Sequence, residues 1–245
     1  MKDRYGREID YLRISITDRC NLRCIYCMPE EGICQTAHKE ILTYDEIRRI
    51  CRCMTALGIK KIKLTGGEPL TRKDSAVLVR MLKELPGIEK VTLTTNGILL
   101  KEQMAELAEA GIDNINISLD TLNTEAFQKI TRREGLTRVL EGLKEAMKYP
   151  QIGLKINCVP VLEDPENLIN LAGIARDNPI HVRFIEMMPI GYGKEFRFCG
   201  EDEICSVLEG AYGEMTPITE KYGNGPCHYY KISGFQGKIG FISAM

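Results

Sequence analysis

Six short runs, YLRISIT, KKIKLTG, KVTLTTN, NINISLD, GLKINCV and HVRFIEM, alternate with segments of helical periodicity. Strand and helix patterns taking turns in this way predict parallel strands joined by helical crossovers. In a chain of 245 residues with 44% apolar content, this predicts an α/β fold: a partial TIM-type barrel of six βα units rather than the usual eight. Helix ends are legible. Thr43 and Glu46 form an S/T-x-x-E capping box, Ile47, Ile50, Cys51, Met54 and Leu57 follow at helical spacing, and Gly58 suits the position just past the end. Asp164 caps a second helix, with Pro165 in its first position. After the sixth unit, EDEICSVLEG reads as a short helix, and CHYYKIS with GKIGFIS as a carboxyl-terminal strand pair. The expected division is a barrel over residues 1–190 and an extension over 191–245.

The alternation within the strands carries a second message. Arg13, Ser15 and Thr17 share one face, as do Lys61, Lys63 and Thr65, then Thr92 and Thr94, then Asn114, Asn116 and Ser118, then Lys155 and Asn157. The opposite faces are mostly Leu, Ile and Val. If those pack on helices, the polar faces line a wet, partly cationic lumen, which implies a polar ligand. A flat sheet with one solvated face is the alternative, but parallel strands with helical crossovers have both faces covered.

Charge and composition exclude several classes. With 33 basic and 34 acidic side chains, no global field draws in a nucleic-acid backbone or an anionic membrane. No stretch approaches the ~18 apolar residues of a membrane span, and the opening MKDRYGREIDYLR lacks a signal-peptide core. The expected location is cytoplasmic, where ten cysteines do not constitute a disulfide framework.

Cys20, Cys24 and Cys27 follow the first strand in C-x₃-C-x₂-C spacing, interleaved with Asp18, Arg19, Asn21 and Arg23 and without core periodicity. Three thiolates in one loop suit three corners of an iron–sulfur cube. Zinc would need a fourth ligand, for which Cys34 or His38 is near, so the loop alone leaves both readings open. Strand two ends in LTGGEPL, where Gly66 and Gly67 permit close approach to the backbone and Glu68 offers an acceptor for an ammonium group. Cys51, Cys158 and Cys205 fall within periodic segments and read as buried, whereas Cys34, Cys53, Cys199 and Cys227 have no evident role. His181 and His228 read as structural residues. Thr95, Asn96 and Asp120 end strands, where they serve either turns and caps or a ligand.

A cysteine triad followed one βα unit later by GGE resembles the radical S-adenosylmethionine (SAM) superfamily. The segments LRISITDRCNLRCIYCMP, KLTGGEPLTR, LTTNGILL, INISLDTL and RFIEMMP closely resemble the GTP 3′,8-cyclase (MoaA) family of molybdenum cofactor biosynthesis, and the resemblance runs over essentially the whole chain. It implies a radical SAM core with one 4Fe-4S cluster on Cys20, Cys24 and Cys27, its fourth iron chelated by SAM. Tyr26, Gly67, Ser118 and Met188 match SAM contacts, beside Gly66 and Glu68 of the same motif. Arg13, Thr94, Lys155 and Arg183 match positions facing the nucleotide, and Lys63 stands where the family usually has arginine. The implied reaction is SAM cleavage to a 5′-deoxyadenosyl radical, hydrogen abstraction from ribose C3′ of GTP, and closure of C3′ onto guanine C8. The implied partners are an electron donor, the next enzyme, cyclic pyranopterin phosphate synthase, and a second copy in a homodimer. The family continues beyond the match to GKIGFIS into a second cluster segment, so full turnover is not expected of residues 1–245 by themselves. The rivals are a peptide-modifying radical SAM enzyme and a zinc-held binding module.

Overall fold

In a computed structural model, the described residues are 2–161, 164–197, 199–220, 222 and 225–243. The chain divides into two units, one formed by the residues up to Asn21 with Cys34–Asn116 and Arg138–Gly153, the other by Leu22–Ile33, Ile117–Thr137 and the chain from Leu154 onward.

The first unit holds β1 (Tyr11–Ser15), α1 (Tyr44–Ala56), β2 (Lys61–Thr65), α2 (Ser75–Lys83), β3 (Lys90–Thr95), α3 (Leu100–Glu109) and the start of β4 (Asn114–Ser118). Its strand order is β1-β2-β3-β4, and β1, β2 and β3 run parallel. The predicted alternation is plain in β2. Ile62 and Leu64 are fully buried, while Lys61, Lys63 and Thr65 on the other face are half-buried. The capping box forms as read: Glu46 N donates to Thr43 Oγ1 at 3.3 Å, and Thr43 N donates to the Glu46 carboxylate at 2.7 Å. Gly58 follows α1 at φ +96°, a left-handed conformation that glycine adopts without strain. The buried stripe of α1 is narrower than its periodicity predicts, because Ile47 and Cys51 are covered whereas Ile50 and Leu57 stay exposed.

The second unit holds the end of β4, α4 (Thr124–Thr131), the start of α5 (Leu136–Ala146), most of β5 (Gly153–Cys158), α6 (Pro165–Asp177), β6 (His181–Ile185), α7 (Glu201–Tyr212), β7 (Met215–Ile218), β8 (His228–Ile232) and β9 (Ile239–Ile242). Its order is β5-β6-β9-β8-β7, parallel from β5 to β9 and antiparallel beyond. Asp164 caps α6 through Asn167 N at 3.1 Å with Pro165 in the first turn, as the sequence predicts.

The structure also departs from the sequence reading after β4 and at the carboxyl-terminal strands. Two helices rather than one follow β4, because Arg132 turns left-handed at the end of α4 and Gly135 takes φ +150° before α5 begins. The carboxyl-terminal strand pair extends the sheet rather than standing apart. β9 pairs in parallel with β6, which satisfies an edge that would otherwise carry unpaired backbone groups, and β7 adds a third strand. β7 escaped notice because it has only four residues and contains Pro217, which suits the edge position it occupies.

Replacing Thr43 with Ala removes one half of the α1 capping box. The expected cost is about 1 kcal/mol, a fall in melting temperature of about 2–4 °C for a chain of this size. Thermal unfolding followed by circular dichroism checks this, with Arg52→Ala on the exposed face of the same helix as the control.

Candidate active site

The cysteine loop begins where β1 ends. All ten cysteines are thiols rather than disulfides; Cys20 and Cys24 are half-buried and Cys27 is exposed. Cys27 N and Met28 N both donate to Cys24 O, at 2.9 and 3.1 Å, so Cys24 and Cys27 sit at the two ends of one tight turn. Tyr26 between them turns its hydroxyl onto Asp120 Oδ2 at 2.7 Å. Asp120 is fixed in turn: its Oδ1 accepts from Val159 N at 2.8 Å and its carbonyl from Asn167 Nδ2 at 2.8 Å. Burial pushes the Asp120 carboxyl up to about 6. Burial, reinforced by Asp120, also pushes the Tyr26 phenol upward, so Tyr26 is a neutral donor at pH 7. Among the described residues, no three His, Cys, Asp or Glu side chains are assembled as a ready-made metal cage. The donor chemistry nevertheless fits an iron–sulfur cluster: three thiols in one loop, none tied up in a disulfide.

In the first unit, the GGE segment locks onto the chain leaving β1. Gly67 N donates to Thr17 O and Glu68 N to Arg19 O, each at 2.7 Å. A Cβ at Gly66 would strike Thr17 O, and one at Gly67 would strike the carbonyls of Arg19 and Asp18. The glycines predicted to admit a ligand are therefore needed first for one loop to approach another. Glu68 is only 1% exposed. Its carboxylate accepts from Leu70 N at 3.0 Å, Thr95 Oγ1 at 2.7 Å and Asn96 N at 2.6 Å. Burial outweighs these bonds and holds its pKa above the usual glutamate value. Asn96 then reaches Asn21 Oδ1 through Nδ2 at 2.7 Å, one residue past Cys20. Thr95 and Asn96, left open by the sequence, thus serve this knot.

The polar strand faces carry the cations. Register places Arg13 opposite Lys63, with Thr92 next in the row. Thr94 Oγ1 accepts from Asn116 Nδ2 at 3.3 Å. In the second unit, Lys155 Nζ donates to Tyr222 O at 3.2 Å and Tyr229 Oη at 3.4 Å. Arg183 is 9% exposed and donates from Nε to Asn157 Oδ1 at 2.9 Å. Gly240 lies opposite Arg183, where a Cβ would meet Cys227 Sγ at 2.7 Å, Tyr229 Cε1 at 2.9 Å and Arg183 Cγ at 3.1 Å. The absence of a side chain there makes room for all three. The His181 ring meets those of Tyr222 and Tyr229 edge-on, with centroids 5.9 and 5.8 Å away. Its pKa is held down to about 4 by burial and then by Lys155, Lys238 and Arg183. Of the remaining predicted site residues, Ser118 is half-buried at the end of β4, and Met188 is 56% exposed beyond β6. The sequence reading missed Tyr229, Gly240 and Arg132 as neighbours of these groups.

Residues 14–173 match the family model of the radical SAM superfamily. The GTP 3′,8-cyclase of Clostridium perfringens (strain 13 / Type A) is 45% identical over 247 residues, covering 100% of this chain and 76% of the relative. That of Pelotomaculum thermopropionicum is 42% identical over 249 residues, covering 100% and 77%. The chain belongs to the GTP 3′,8-cyclase family of radical SAM enzymes. Solved structures agree on the fold. Streptococcus suis SuiB bound to precursor peptide SuiA matches with a TM-score of 0.68 at 21% identity, over 82% of this chain and 44% of that one. Methylornithine synthase matches with a TM-score of 0.63 at 22% identity, over 81% and 61%. This likeness shows the α/β fold that the βα pattern predicted, and family membership removes the zinc-held module. The family implies a 4Fe-4S cluster and SAM. Among the described residues, no helix is long and apolar enough to cross a membrane.

The depressed pKa of His181 gives a test of the cationic face. The folded state refuses a proton that the unfolded histidine accepts at its ordinary value of 6.5, so the stabilisation is fully present above pH 6.5 and is lost as pH falls towards 4. His181→Phe keeps the ring contacts and is expected to flatten this limb by about 1–2 kcal/mol, allowing for partial exposure. Denaturant unfolding of both proteins at pH 4, 5, 6 and 7 measures the difference.

Proposed function

We propose that this chain carries one 4Fe-4S cluster on Cys20, Cys24 and Cys27, binds SAM beside it through Tyr26, Gly66, Gly67, Ser118 and Met188, and acts on GTP. The observation that carries the substrate is cationic: Arg13 stands opposite Lys63 in register, and Lys155 and Arg183 lie on adjacent strands. Like charges directly opposite one another destabilise a sheet, and a polyanion between them reverses the sign. Held by Cys20, Cys24 and Cys27, a 4Fe-4S cluster would supply the one-electron reduction of a sulfonium that starts radical chemistry on an inert C–H bond, with the electron coming from an external donor.

The protein's own residues do the rest. Asp120 holds the Tyr26 hydroxyl and thereby fixes the turn between Cys24 and Cys27. Glu68 spends its carboxylate on Leu70, Thr95 and Asn96, so in this reading it shapes the SAM-facing loop and leaves backbone groups of Gly66 and Gly67 to meet the ligand. Arg13, Lys63, Thr94, Lys155 and Arg183 take the nucleotide, with the ammonium groups supplying charge and the guanidinium groups directional pairs. Tyr229 and Gly240, from the 191–245 segment, shape the Lys155 and Arg183 side of that site. The reading carries with it a cytoplasmic location, a low-potential electron donor, a homodimer, and cyclic pyranopterin phosphate synthase as the enzyme that receives the product.

Two sets of variants check this. Cys20→Ser, Cys24→Ser and Cys27→Ser, purified anaerobically, should each lose iron while remaining folded, whereas Cys51→Ser, whose thiol is fully buried, should keep wild-type iron per folded chain. Retained iron in Cys24→Ser would sink the cluster assignment. Lys155→Ala should lose roughly ten- to a hundred-fold in GTP affinity, the worth of one charge-assisted contact of about 1.5–3 kcal/mol, with SAM affinity unchanged. Calorimetric titration of both ligands measures the split, and equal losses would show the polar face to be wrongly assigned. Release of 5′-deoxyadenosine from SAM under a strong reductant, followed by chromatography, tests the radical chemistry itself.

A further inference from the structure

The cysteine loop is gripped by a residue whose backbone conformation disfavours it. Helix α4 ends at Arg132, which adopts φ +54° and ψ 23°. Left-handed helix ends are ordinarily made by glycine or asparagine, because a Cβ there crowds the backbone. Arg132 uses its side chain to do what glycine cannot. Its Nη1 donates to Arg23 O at 3.1 Å and to Met28 O at 3.0 Å. These two carbonyls bracket Cys24 and Cys27, so one guanidinium nitrogen ties the entry of the turn to its exit. The helix end adds two backbone bonds on the entry side, Arg23 N to Thr131 O and Ile25 N to Ile130 O, both 2.9 Å. The anchor is firm, since Phe127, Ile130 and Thr131 of α4 are buried and Thr131 Oγ1 donates to Phe127 O at 2.8 Å.

We propose that Arg132 is a positioning residue for the thiol loop, fixing the span from Arg23 to Met28 so that Cys24 and Cys27 are presented to the cluster at one spacing. The backbone bonds to Thr131 and Ile130 hold only Arg23 and Ile25; beyond Ile25, the exit of the turn is tied to α4 by the Arg132 side chain. The inference rests on the reading that these thiols hold a cluster, and it deepens that reading by naming what holds the thiols.

The test uses Arg132→Gly and Arg132→Asn, both suited to a left-handed backbone and neither able to reach the loop, with Arg132→Lys as the variant that still can. In protein prepared without iron, hydrogen exchange of the amides in residues 23–28 is expected to quicken at least tenfold in the Gly and Asn variants, at an unchanged melting temperature. In reconstituted protein, loss of iron to a chelator should quicken several-fold and the electron paramagnetic resonance lines of the reduced cluster should broaden, with Arg132→Lys returning part of both. Exchange and iron loss equal to wild type in the Gly and Asn variants would overturn the proposal. Faster exchange with unchanged iron loss and an unchanged spectrum would overturn it too, because Arg132 would then serve only the fold of the loop. If the unsubstituted protein held no iron, the cluster reading would fall, and the exchange measurement would still decide whether Arg132 clamps the loop.

Discussion

The buried carboxylate of Glu68 is the constraint around which the loops of the first unit are organised. A carboxylate taken out of water costs several kcal/mol unless donors surround it, and here the donors come from two separate stretches of chain, Leu70 just past the GGE segment and Thr95 with Asn96 at the end of β3. Satisfying one charge therefore fixes the relation between two loops. Asn96 passes the constraint on to Asn21, beside Cys20, while Gly67 N and Glu68 N fasten the same segment to the carbonyls of Thr17 and Arg19. Loosening Glu68 would disturb a cysteine, two glycines and a strand end at once. That the carboxyl still sits above its usual pKa, with burial the largest cause, shows that desolvation is not fully offset.

Much of this architecture was legible in the sequence. The six strands fall where the sequence pattern placed them: burial alternates strictly in β5 and in β2, where Ile62 and Leu64 oppose Lys61 and Lys63, while β3, β4 and β6 each bury three residues in a row, as strands covered on both faces do. The caps at Thr43 and Asp164 were legible because capping is local chemistry within three residues. The break between α4 and α5 was not, because arginine at a left-handed position gives no composition signal and is held there by contacts over a hundred residues away in sequence. β7 was lost to its brevity and its proline.

The candidate site residues stand out through neighbouring positions in the sequence, and the groups that support them do not. Spacing singled out Cys20, Cys24 and Cys27, and face alternation singled out Arg13, Lys63 and Lys155, because both are properties of neighbouring positions. The groups that fix these residues come from elsewhere in the chain: Asp120 for Tyr26, Tyr229 for Lys155, Gly240 for the room around Arg183. Glu68 is the instructive case. Its motif drew attention to it as an acceptor for a ligand's ammonium group, and the structure adds three donors that the motif alone did not disclose, Leu70 N, Thr95 Oγ1 and Asn96 N.

The electrostatics of the two polar faces follow one logic with different means. In the first unit, Arg13 and Lys63 stand opposite one another across β1 and β2, and like charges directly opposite one another weaken a strand pair. In the second unit, the relief is built in. Arg183 leans on Asn157, Lys155 on the Tyr222 carbonyl and the Tyr229 hydroxyl, and His181 beside them stays neutral because burial and the three cations already present disfavour another positive charge. A neutral histidine costs the face no further repulsion at pH 7 and leaves its charge with Lys155, Arg183 and Lys238. The first face thus sets two cations on neighbouring strands, while the second holds its cations by hydrogen bonds within its own unit.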